Sequence, residues 1–483
     1  MRYRVISLFI CLALLGCAHT AQQVASETGF EGAVTVLSEE TDDDFQVVLA
    51  EVPYLDIYGH PATGRARFTV LTALLESTAP IPAFCHVHYE KDVNASKKWA
   101  RRGWAVFTAD YTGADEDYPI DAAVANGNNL ARAIIQWARR LPFIDRSRLH
   151  IDGGSQGGYM ALAMSADLFP VTSATADAPV VNWAYNLNYF EANRAVSGYP
   201  GPIAESPLPV VCQVTLLADW CYRYFGKDLS ADAWYQMSPI AWLGRIANPV
   251  LVTCATGDML VPMECMTREH LRPVTHPGFP QGYQRDFDAL TLNDSARRVF
   301  EEVVPPEDIS ITVAPLQKNA YEITRAMFQG EEKKPKDPRN LDKPWSAEHQ
   351  WSLLYCDEGG PAPYAAHTTY SWAMSPDSFV AHYQEAVPAP GILNGPKLER
   401  LLERYAGRMT GLPLLKDGTP VHRRNFAAVE QYDVVRGLLD YAELGAGHAA
   451  RLEALYAKCA LQPLEKGVAP AALRGYLEKL ALP

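Results

Sequence analysis

Between Ile81 and Val180, short apolar runs alternate with segments of helical periodicity. The strand candidates are "IPAFCHVHY", "WAVFTADY", "RLHIDGG" and "SATADAPV", and the helix candidates between them are "ASKKWARRG", "DAAVANGNNLARAIIQWARRL" and "SQGGYMALAMSADL". Strands that are apolar throughout are typical of a parallel sheet, because the crossover helices cover both of its faces. The alternation therefore predicts an α/β fold, with a mostly parallel sheet and helices on both faces.

The segments on either side extend this domain. Before it, "FQVVLAEVPYLDIYG" and "ARFTVLTALLES" alternate as antiparallel strands do, and after it "ANPVLVTCATGD", "DISITVAP" and "HQWSLLYCDEGG" are further strand candidates. We predict one domain over residues 45–388, with a cap rich in Trp, Tyr and Pro at 182–244 and an insertion at 270–345. Amphipathic segments beyond Pro388 predict a helical C-terminal region over residues 389–483.

The first residues have the features of an export signal. Arg2 and Arg4 precede the apolar run Val5 to Leu15, which is too short to span a bilayer, and "LLGC" ends it at Cys17. This pattern resembles the bacterial lipoprotein signal, which implies a signal peptide at 1–16, acylation of Cys17 and a tether over 17–44. The alternative is an ordinary secretory signal with a chance cysteine. Both predict export, and the first places the protein at the bacterial cell envelope.

Charge and cysteine spacing exclude several classes of partner. The 43 basic residues are outnumbered by 56 acidic ones, giving a net charge of -13, so we expect no nucleic acid partner and no membrane contact except through the N-terminal lipid. The nine cysteines form no C-x-x-C pair. This argues against a zinc knuckle and a thioredoxin-like site. His86 and His88, two positions apart on a strand candidate, point to opposite faces, so we expect no metal site, and we expect no cofactor. Disulfides between Cys212 and Cys221, or between Cys254 and Cys265, stay open because spacing alone cannot establish them.

A glycine-rich corner lies where the third strand candidate meets a helix candidate. Gly153 to Gly157 fits the pattern G-x-S-x-G, with a strand before it and a helix after it. A serine hydroxyl is a weak nucleophile that must project from a sharp turn for a histidine to reach it, and small neighbours permit that turn. The pattern predicts Ser155 as the nucleophile and the N–H of Gln156 as an oxyanion donor. The alternative is a glycine-rich turn with an inert serine.

Three stretches carry a resemblance to a known family. "LPFIDRSRLHIDGGSQGGYMALAM", "YQMSPIAWLGRIANPVLVTCATGDMLVP" and "WARRGWAVFTADYTG" resemble segments of α/β-hydrolases of the prolyl oligopeptidase type. The hexapeptide "GGSQGG" is also similar to that of acetyl xylan esterases and cephalosporin C deacetylases. The resemblance implies an α/β-hydrolase fold. Peptidases of the family usually carry a large β-propeller, and the roughly 60 residues between Cys17 and the first strands of the alternating region are too few for one. This favours an esterase over a peptidase.

The resemblance also implies a catalytic triad in the chain order Ser, Asp, His. Asp258 ends a strand candidate in "ATGDMLVP" and is the predicted acid, with Asp177 as its substitute. The alternative for Asp258 is an aspartate that only forms the turn. His367 lies in a loop after an apolar strand and before a helix and is the predicted base, with His276 as the alternative.

A second oxyanion donor is expected in the loop after "IPAFCHVHY". Both related groups tend to have His-Gly there, whereas this chain has His88 followed by Tyr89, whose backbone N–H is the predicted donor. The predicted activity is hydrolysis of a small carboxylic ester such as an acetyl or acyl ester. The alternatives are a serine peptidase acting on short peptides and an inactive envelope binding protein.

Overall fold

The computed structural model describes residues 32–87, 93–110, 126–167, 171–188, 218–219, 221–241, 243, 246, 248–255, 261, 309–315, 346–357, 377–385, 467–478 and 481–482. The strands in this part of the chain are β1 (Gly32–Ala33), β2 (Thr35–Asp42), β3 (Phe45–Leu55), β4 (Pro61–Leu71), β5 (Ile81–His86), β6 (Ala105–Asp110), β7 (Ile144–Gly154), β8 (Ser173–Asp177), β9 (Val250–Ala255), β10 (Ile309–Pro315), β11 (Trp351–Asp357) and β12 (Ala481–Leu482). The helices are α1 (Thr72–Glu76), α2 (Val93–Ala100), α3 (Asn126–Arg140), α4 (Gln156–Asp167), α5 (Asp232–Met237), α6 (Asp377–Glu385) and α7 (Leu473–Glu478).

Ten of these strands form one sheet in the order β10-β11-β9-β8-β7-β5-β6-β4-β3-β2. The strands from β10 to β6 in this order run parallel to one another, and β4, β3 and β2 continue the sheet as antiparallel neighbours. The predicted fold class is confirmed, because each strand candidate between Ile81 and Val180 forms a parallel strand of this sheet.

Helices cover both faces of the sheet, and alternate residues of one strand show it. Ala83 and Cys85 of β5 belong to a large apolar cluster that includes residues of α3 and α4, whereas Phe84 belongs to a second cluster that includes residues of α2 and α6. Because successive strand side chains point to opposite faces, the two clusters lie on opposite sides of the sheet. The apolar character of β5 on both faces is the sequence signal that predicted this arrangement.

Part of the predicted tether belongs to the sheet, which corrects the boundary at residue 44. Thr35 to Asp42 form β2, the edge strand, paired in antiparallel register with β3. Val34 and Val36 are buried although the surrounding stretch is polar. One apolar face is enough to hold an edge strand, and this short alternation was missed within an acidic segment. Residues 17–31 lie outside the described part of the chain.

The described end of the chain returns to this edge. Val468, Leu473 and Leu477 are buried in the large apolar cluster. Ala481–Leu482 pairs with Gly32–Ala33 as a two-stranded antiparallel sheet. The helix α7 falls within the predicted helical region, whereas β12 is a short strand there, and residues 389–466 lie outside the described part.

The predicted cap and insertion are each described only in part. In the cap, Trp183 and Trp234 are buried in the same apolar cluster as α4, and the Trp183 ring meets Tyr159 edge-on at 5.2 Å. The insertion contributes β10 to the outer edge of the sheet, beyond β11. The extent of both segments stays a prediction. None of the helices in the described ranges has the length and apolarity needed to cross a bilayer.

Candidate functional site

The carboxyl ends of the parallel strands meet at one edge of the sheet, where α/β folds bind their ligands. The residues that end these strands include His86 on β5, Gly154 on β7 and Asp177 on β8. Gly154 and Asp177 are register partners on neighbouring strands. The corner at Ser155 therefore stands at the edge where a ligand crevice is expected.

Ser155 is the single residue between β7 and α4, and its backbone is in the left-handed region with φ 58°. This conformation costs a residue with a side chain roughly 1–2 kcal/mol. The surrounding contacts hold it in place, because the Ser155 N–H donates to the carbonyl oxygen of Asp177 over 2.7 Å. A strained serine at a strand-to-helix corner is the geometry that exposes a nucleophilic hydroxyl.

The glycines beside Ser155 differ in how much space they leave. A Cβ on Gly153 would lie 2.2 Å from the carbonyl oxygen of Gly157, and a Cβ on Gly158 would lie 2.7 Å from that of Asp177. A Cβ on Gly154 would meet nothing closer than 3.6 Å, which is ordinary van der Waals contact. Close backbone packing thus requires glycine at 153 and 158, and leaves room for a methyl group at 154.

Gln156 is the first residue of α4, and its side chain is buried. The first N–H groups of a helix have no acceptor within the helix, and the helix dipole favours negative charge there. The Gln156 N–H is therefore suited to stabilise an oxyanion formed beside Ser155.

Several of the residues predicted for the site lie outside the described part of the chain. They are Cys17, Tyr89, Asp258 and His367, together with the alternative base His276. Of the remaining candidates, Ser155 and Gln156 are neighbours at the corner, and Asp177 ends the adjacent strand. The Asp177 carboxylate accepts a hydrogen bond from the Thr253 hydroxyl over 2.9 Å.

A pair of side chains that the sequence analysis did not identify lies next to the corner. The imidazole Nδ1 of His86 and the carboxylate Oδ2 of Asp152 are 2.6 Å apart, on neighbouring strands. Asp152 also accepts a hydrogen bond from the Thr175 hydroxyl over 2.7 Å. The available signal was that His86 and Asp152 both stand near the carboxyl ends of apolar strand candidates, although their pairing depends on the strand order.

No group of three or more His, Cys, Asp or Glu side chains within the described residues is arranged to hold a metal ion. Of the two histidines weighed as a metal pair, His86 is hydrogen-bonded to Asp152, and His88 lies outside the described residues. Cys85 has a buried thiol, and that burial raises its pKa, so it stays protonated at neutral pH.

Residues 92–201 match the model of the prolyl oligopeptidase family. That region contains the corner at Ser155, together with α3, β7, α4 and β8. No curated protein sequence matches the chain significantly.

Solved structures of esterases and peptidases are similar to parts of the chain. An acetyl xylan esterase from Paenibacillus sp. R4 is 16% identical, covers 51% of this chain and 81% of its own, and has a TM-score of 0.34. The Pyrococcus horikoshii acylaminoacyl peptidase is 15% identical over 50% of this chain and 43% of its own, with a TM-score of 0.32. Carboxyl esterase 2 from the mycorrhizal fungus Tuber melanosporum is 12% identical over 73% of this chain and 90% of its own, with a TM-score of 0.37.

Proposed function

We propose that this chain, a serine hydrolase with an α/β-hydrolase fold and a region of the prolyl oligopeptidase family at residues 92–201, hydrolyses small carboxylic esters through acylation of Ser155. The observation that carries the proposal is the left-handed backbone of Ser155 at the corner between β7 and α4. Strain at a polar residue beside a ligand-binding edge is characteristic of a functional site. The hexapeptide "GGSQGG", with its resemblance to acetyl xylan esterases, favours an acetyl or other short acyl group.

In the proposed reaction, His367 accepts the proton of the Ser155 hydroxyl as the oxygen attacks the ester carbonyl, and Asp258 orients the imidazole. The backbone N–H groups of Gln156 and Tyr89 bind the oxyanion of the tetrahedral intermediate. Collapse breaks the bond to the alcohol, which leaves with the proton from His367. Water then attacks the acyl-enzyme while His367 accepts its proton. The bond to the Ser155 oxygen breaks, His367 returns the proton to that oxygen, and the acid is released. No cofactor takes part in this sequence.

Turnover of p-nitrophenyl acetate by purified protein tests the proposal. Ser155→Ala is expected to abolish turnover above the background rate. Ser165→Ala is the matched control, because Ser165 is buried in α4, the helix that follows Ser155, and its hydroxyl has no hydrogen-bond partner among the described residues. Equal activity of wild type and Ser155→Ala would exclude the proposed nucleophile. Absence of turnover and of acyl-enzyme in the wild type, with a range of acyl esters, would favour the binding-protein alternative.

A serine peptidase acting on short peptides is the second candidate function. The match to the prolyl oligopeptidase family favours it, since acyl transfer from an amide uses the same nucleophile. Aminoacyl p-nitroanilides compared with p-nitrophenyl acetate separate the two activities. Strong anilide turnover with negligible ester turnover would reverse the order proposed here.

We also propose that the protein is exported and anchored to the bacterial cell envelope through a lipid on Cys17. The support is the sequence of residues 1–17, in which two arginines, an apolar run and "LLGC" follow one another. Metabolic labelling with an alkynyl fatty acid is expected to mark the wild type and not Cys17→Ser. Secretion of an unlabelled wild-type protein would support an ordinary signal peptide instead.

A further inference from the structure

A pair of side chains, one buried and one partly buried, lies immediately before the Ser155 corner. His86 is the last residue of β5, and Asp152 precedes Ser155 by three positions on β7. The two residues are register partners, so their side chains share one face of the sheet. The Nδ1 to Oδ2 distance is 2.6 Å, and the side chains are 7% and 14% exposed.

Hydrogen bonds converge on the Asp152 carboxylate from both sides. The Thr175 hydroxyl donates its single proton to Oδ1 of Asp152 over 2.7 Å. His150 Nε2 lies 3.1 Å from the same hydroxyl oxygen, so Nε2 carries the proton and donates it. On the other side, Nδ1 of His86 donates to Oδ2. A carboxylate that is 14% exposed and has donors on both oxygens is held in one orientation.

Two further contacts join the same segments. The Val87 N–H donates to the carbonyl oxygen of Asp152 over 2.9 Å. A Cγ of Val87 lies 3.0 Å from where a Cβ on Gly153 would stand. The exit of β5 is therefore fixed against the strand that carries the corner by a side-chain pair, a backbone hydrogen bond and direct packing.

The corner that these contacts hold carries the proposed nucleophile and a proposed oxyanion donor. Ser155 follows β7 directly, and Gln156, whose N–H is the proposed donor, begins α4. Oxyanion donors must stand about 2.7–3.1 Å from the developing charge, and a misplacement of about 1 Å can reduce the rate on the order of 10²-fold. A small displacement of the Ser155 corner is therefore expected to reduce the rate.

We propose that His86 and Asp152 form a positioning unit, which holds the end of β7 against β5 and thereby fixes the position of the Ser155 corner and of the Gln156 N–H. In this role the pair acts through the backbone of the two strands and takes no part in the proposed proton transfers. This inference rests on the proposed esterase function. Its effect is specific to the transition state, because the oxyanion is present there and not in the bound ester.

The test compares two replacements of His86 in the full chain. Asn carries a side-chain N–H near the position of Nδ1 and can keep the bond to Asp152, whereas Leu has similar bulk and no donor. His86→Leu is expected to lower kcat for p-nitrophenyl acetate by about 10- to 100-fold with KM nearly unchanged. The affinity for an alkyl boronic acid, which forms a tetrahedral anion on serine, should fall in parallel. His86→Asn should recover most of both.

Asp110→Ala is the matched control for loss of a buried carboxylate. Asp110 ends β6, the strand beside β5, is 3% exposed and is paired with Arg67 at 2.5 Å. Asp110→Ala and Asp152→Ala should both lower the thermal midpoint. In Asp110→Ala, kcat of the folded protein should stay within about twofold of wild type. If His86→Leu is too unstable to assay, Thr175→Val removes one donor to Asp152 and should give a smaller loss of kcat.

Two results would overturn the positioning role. One is a folded His86→Leu protein with wild-type kcat and boronic acid affinity, and the other is an equal loss in His86→Leu and His86→Asn. The proposed function fails separately, if Ser155→Ala keeps wild-type ester turnover. Loss of turnover in Ser155→Ala together with full activity in His86→Leu would reject the positioning unit alone.

Discussion

The backbone N–H of Ser155 donates a hydrogen bond to the carbonyl oxygen of Asp177 over 2.7 Å. This bond ties the corner after β7 to the end of the neighbouring strand β8. It also engages the Ser155 N–H, so the nearest donor for an oxyanion is the N–H of Gln156 at the start of α4. The bond therefore holds a strained backbone in place, and the Gln156 N–H remains the proposed oxyanion donor at this corner.

The strain at Ser155 predicts a difference in stability between two inactive variants. The free energy of unfolding of Ser155→Gly should exceed that of Ser155→Ala by about 1 kcal/mol, because glycine adopts positive φ without the Cβ clash. Chemical denaturation monitored by circular dichroism measures it. Asp43 is the control position, since its φ is 55° in the turn between β2 and β3 and the same Gly-over-Ala order is expected there. Greater stability of the Ala variant at position 155 would contradict a strained corner.

The packing around the corner predicts that two glycine substitutions differ. In Gly158→Ala, the new methyl group would stand 2.7 Å from the Asp177 carbonyl oxygen, so the corner must shift. We expect a loss of stability of about 1–3 kcal/mol and a large loss of ester turnover. Gly154→Ala has room for the methyl group and should fold normally. The thermal midpoints of the two variants are compared. Equal midpoints would show that the backbone at Gly158 is less constrained than its close contact with Asp177 indicates.

The choice of triad acid predicts unequal effects of two carboxamide variants. Asp258→Asn should lower kcat by a factor on the order of 10⁴, because the imidazole loses the partner that fixes its tautomer. Asp177→Asn should have a much smaller effect, since its carboxylate is bonded to the Thr253 hydroxyl. Steady-state kinetics on p-nitrophenyl acetate distinguish them. The reverse order would make Asp177 the acid.

The choice of base is tested in the same way. His367→Ala should lose nearly all turnover, and His276→Ala should keep most of it. Circular dichroism confirms that each variant is folded before its rate is compared. If His276→Ala loses activity and His367→Ala retains it, the base is His276.

The contacts of α7 predict that the end of the chain contributes to global stability. Leu477 is fully buried in the large apolar cluster, and Arg474 donates to the backbone carbonyl of Val36 on the edge strand β2 over 2.9 Å. Leu477→Ala should lower the free energy of unfolding by about 2–5 kcal/mol. Leu37→Ala is the control, because Leu37 is 41% exposed and a surface change usually stays within about 0.5 kcal/mol. Similar small effects of both would mean that α7 is not part of the core.

The buried thiol of Cys85 predicts a pH dependence of stability. Burial raises its pKa, whereas in the unfolded chain a thiol ionises near pH 8.5. Above that pH the native state binds more protons than the unfolded state, so the free energy of unfolding falls as pH rises. Between pH 8 and pH 10, the free energy of unfolding of Cys85→Ala should fall by about 1–2 kcal/mol less than that of the wild type. Urea denaturation under reducing conditions measures it, with Ser165→Ala expected to follow the wild type. Parallel curves for Cys85→Ala and wild type would contradict the shift.

The parallel core of the fold could be predicted from the sequence because its signals are local. Strands such as Ile81–His86 are apolar on both faces, and the glycines around Ser155 interrupt a strand-to-helix junction in a way that only a tight corner explains. The edge strand β2 was missed because its buried residues lie in an acidic stretch whose composition is typical of a tether. Its partner residues on α7 are separated from it by more than four hundred positions.

The neighbourhood of the corner was harder to predict, since it depends on contacts across strands. His86 and Asp152 are 66 positions apart in the sequence, and they meet because β5 and β7 are adjacent in a particular register. Nothing in either local sequence fixes that register. The triad partners Asp258 and His367 were inferred from chain order and loop placement, and they stay predictions.

Covalent labelling of the wild-type protein with a fluorophosphonate tests the central claim most directly. Intact mass spectrometry should show one added phosphonyl group, and peptide mapping should place it on the peptide that contains Ser155. Ser155→Ala should take up none, and Ser165→Ala should be labelled as the wild type is. An intact, folded wild-type protein that takes up no label, or a Ser155→Ala protein labelled equally well, would contradict Ser155 as the nucleophile.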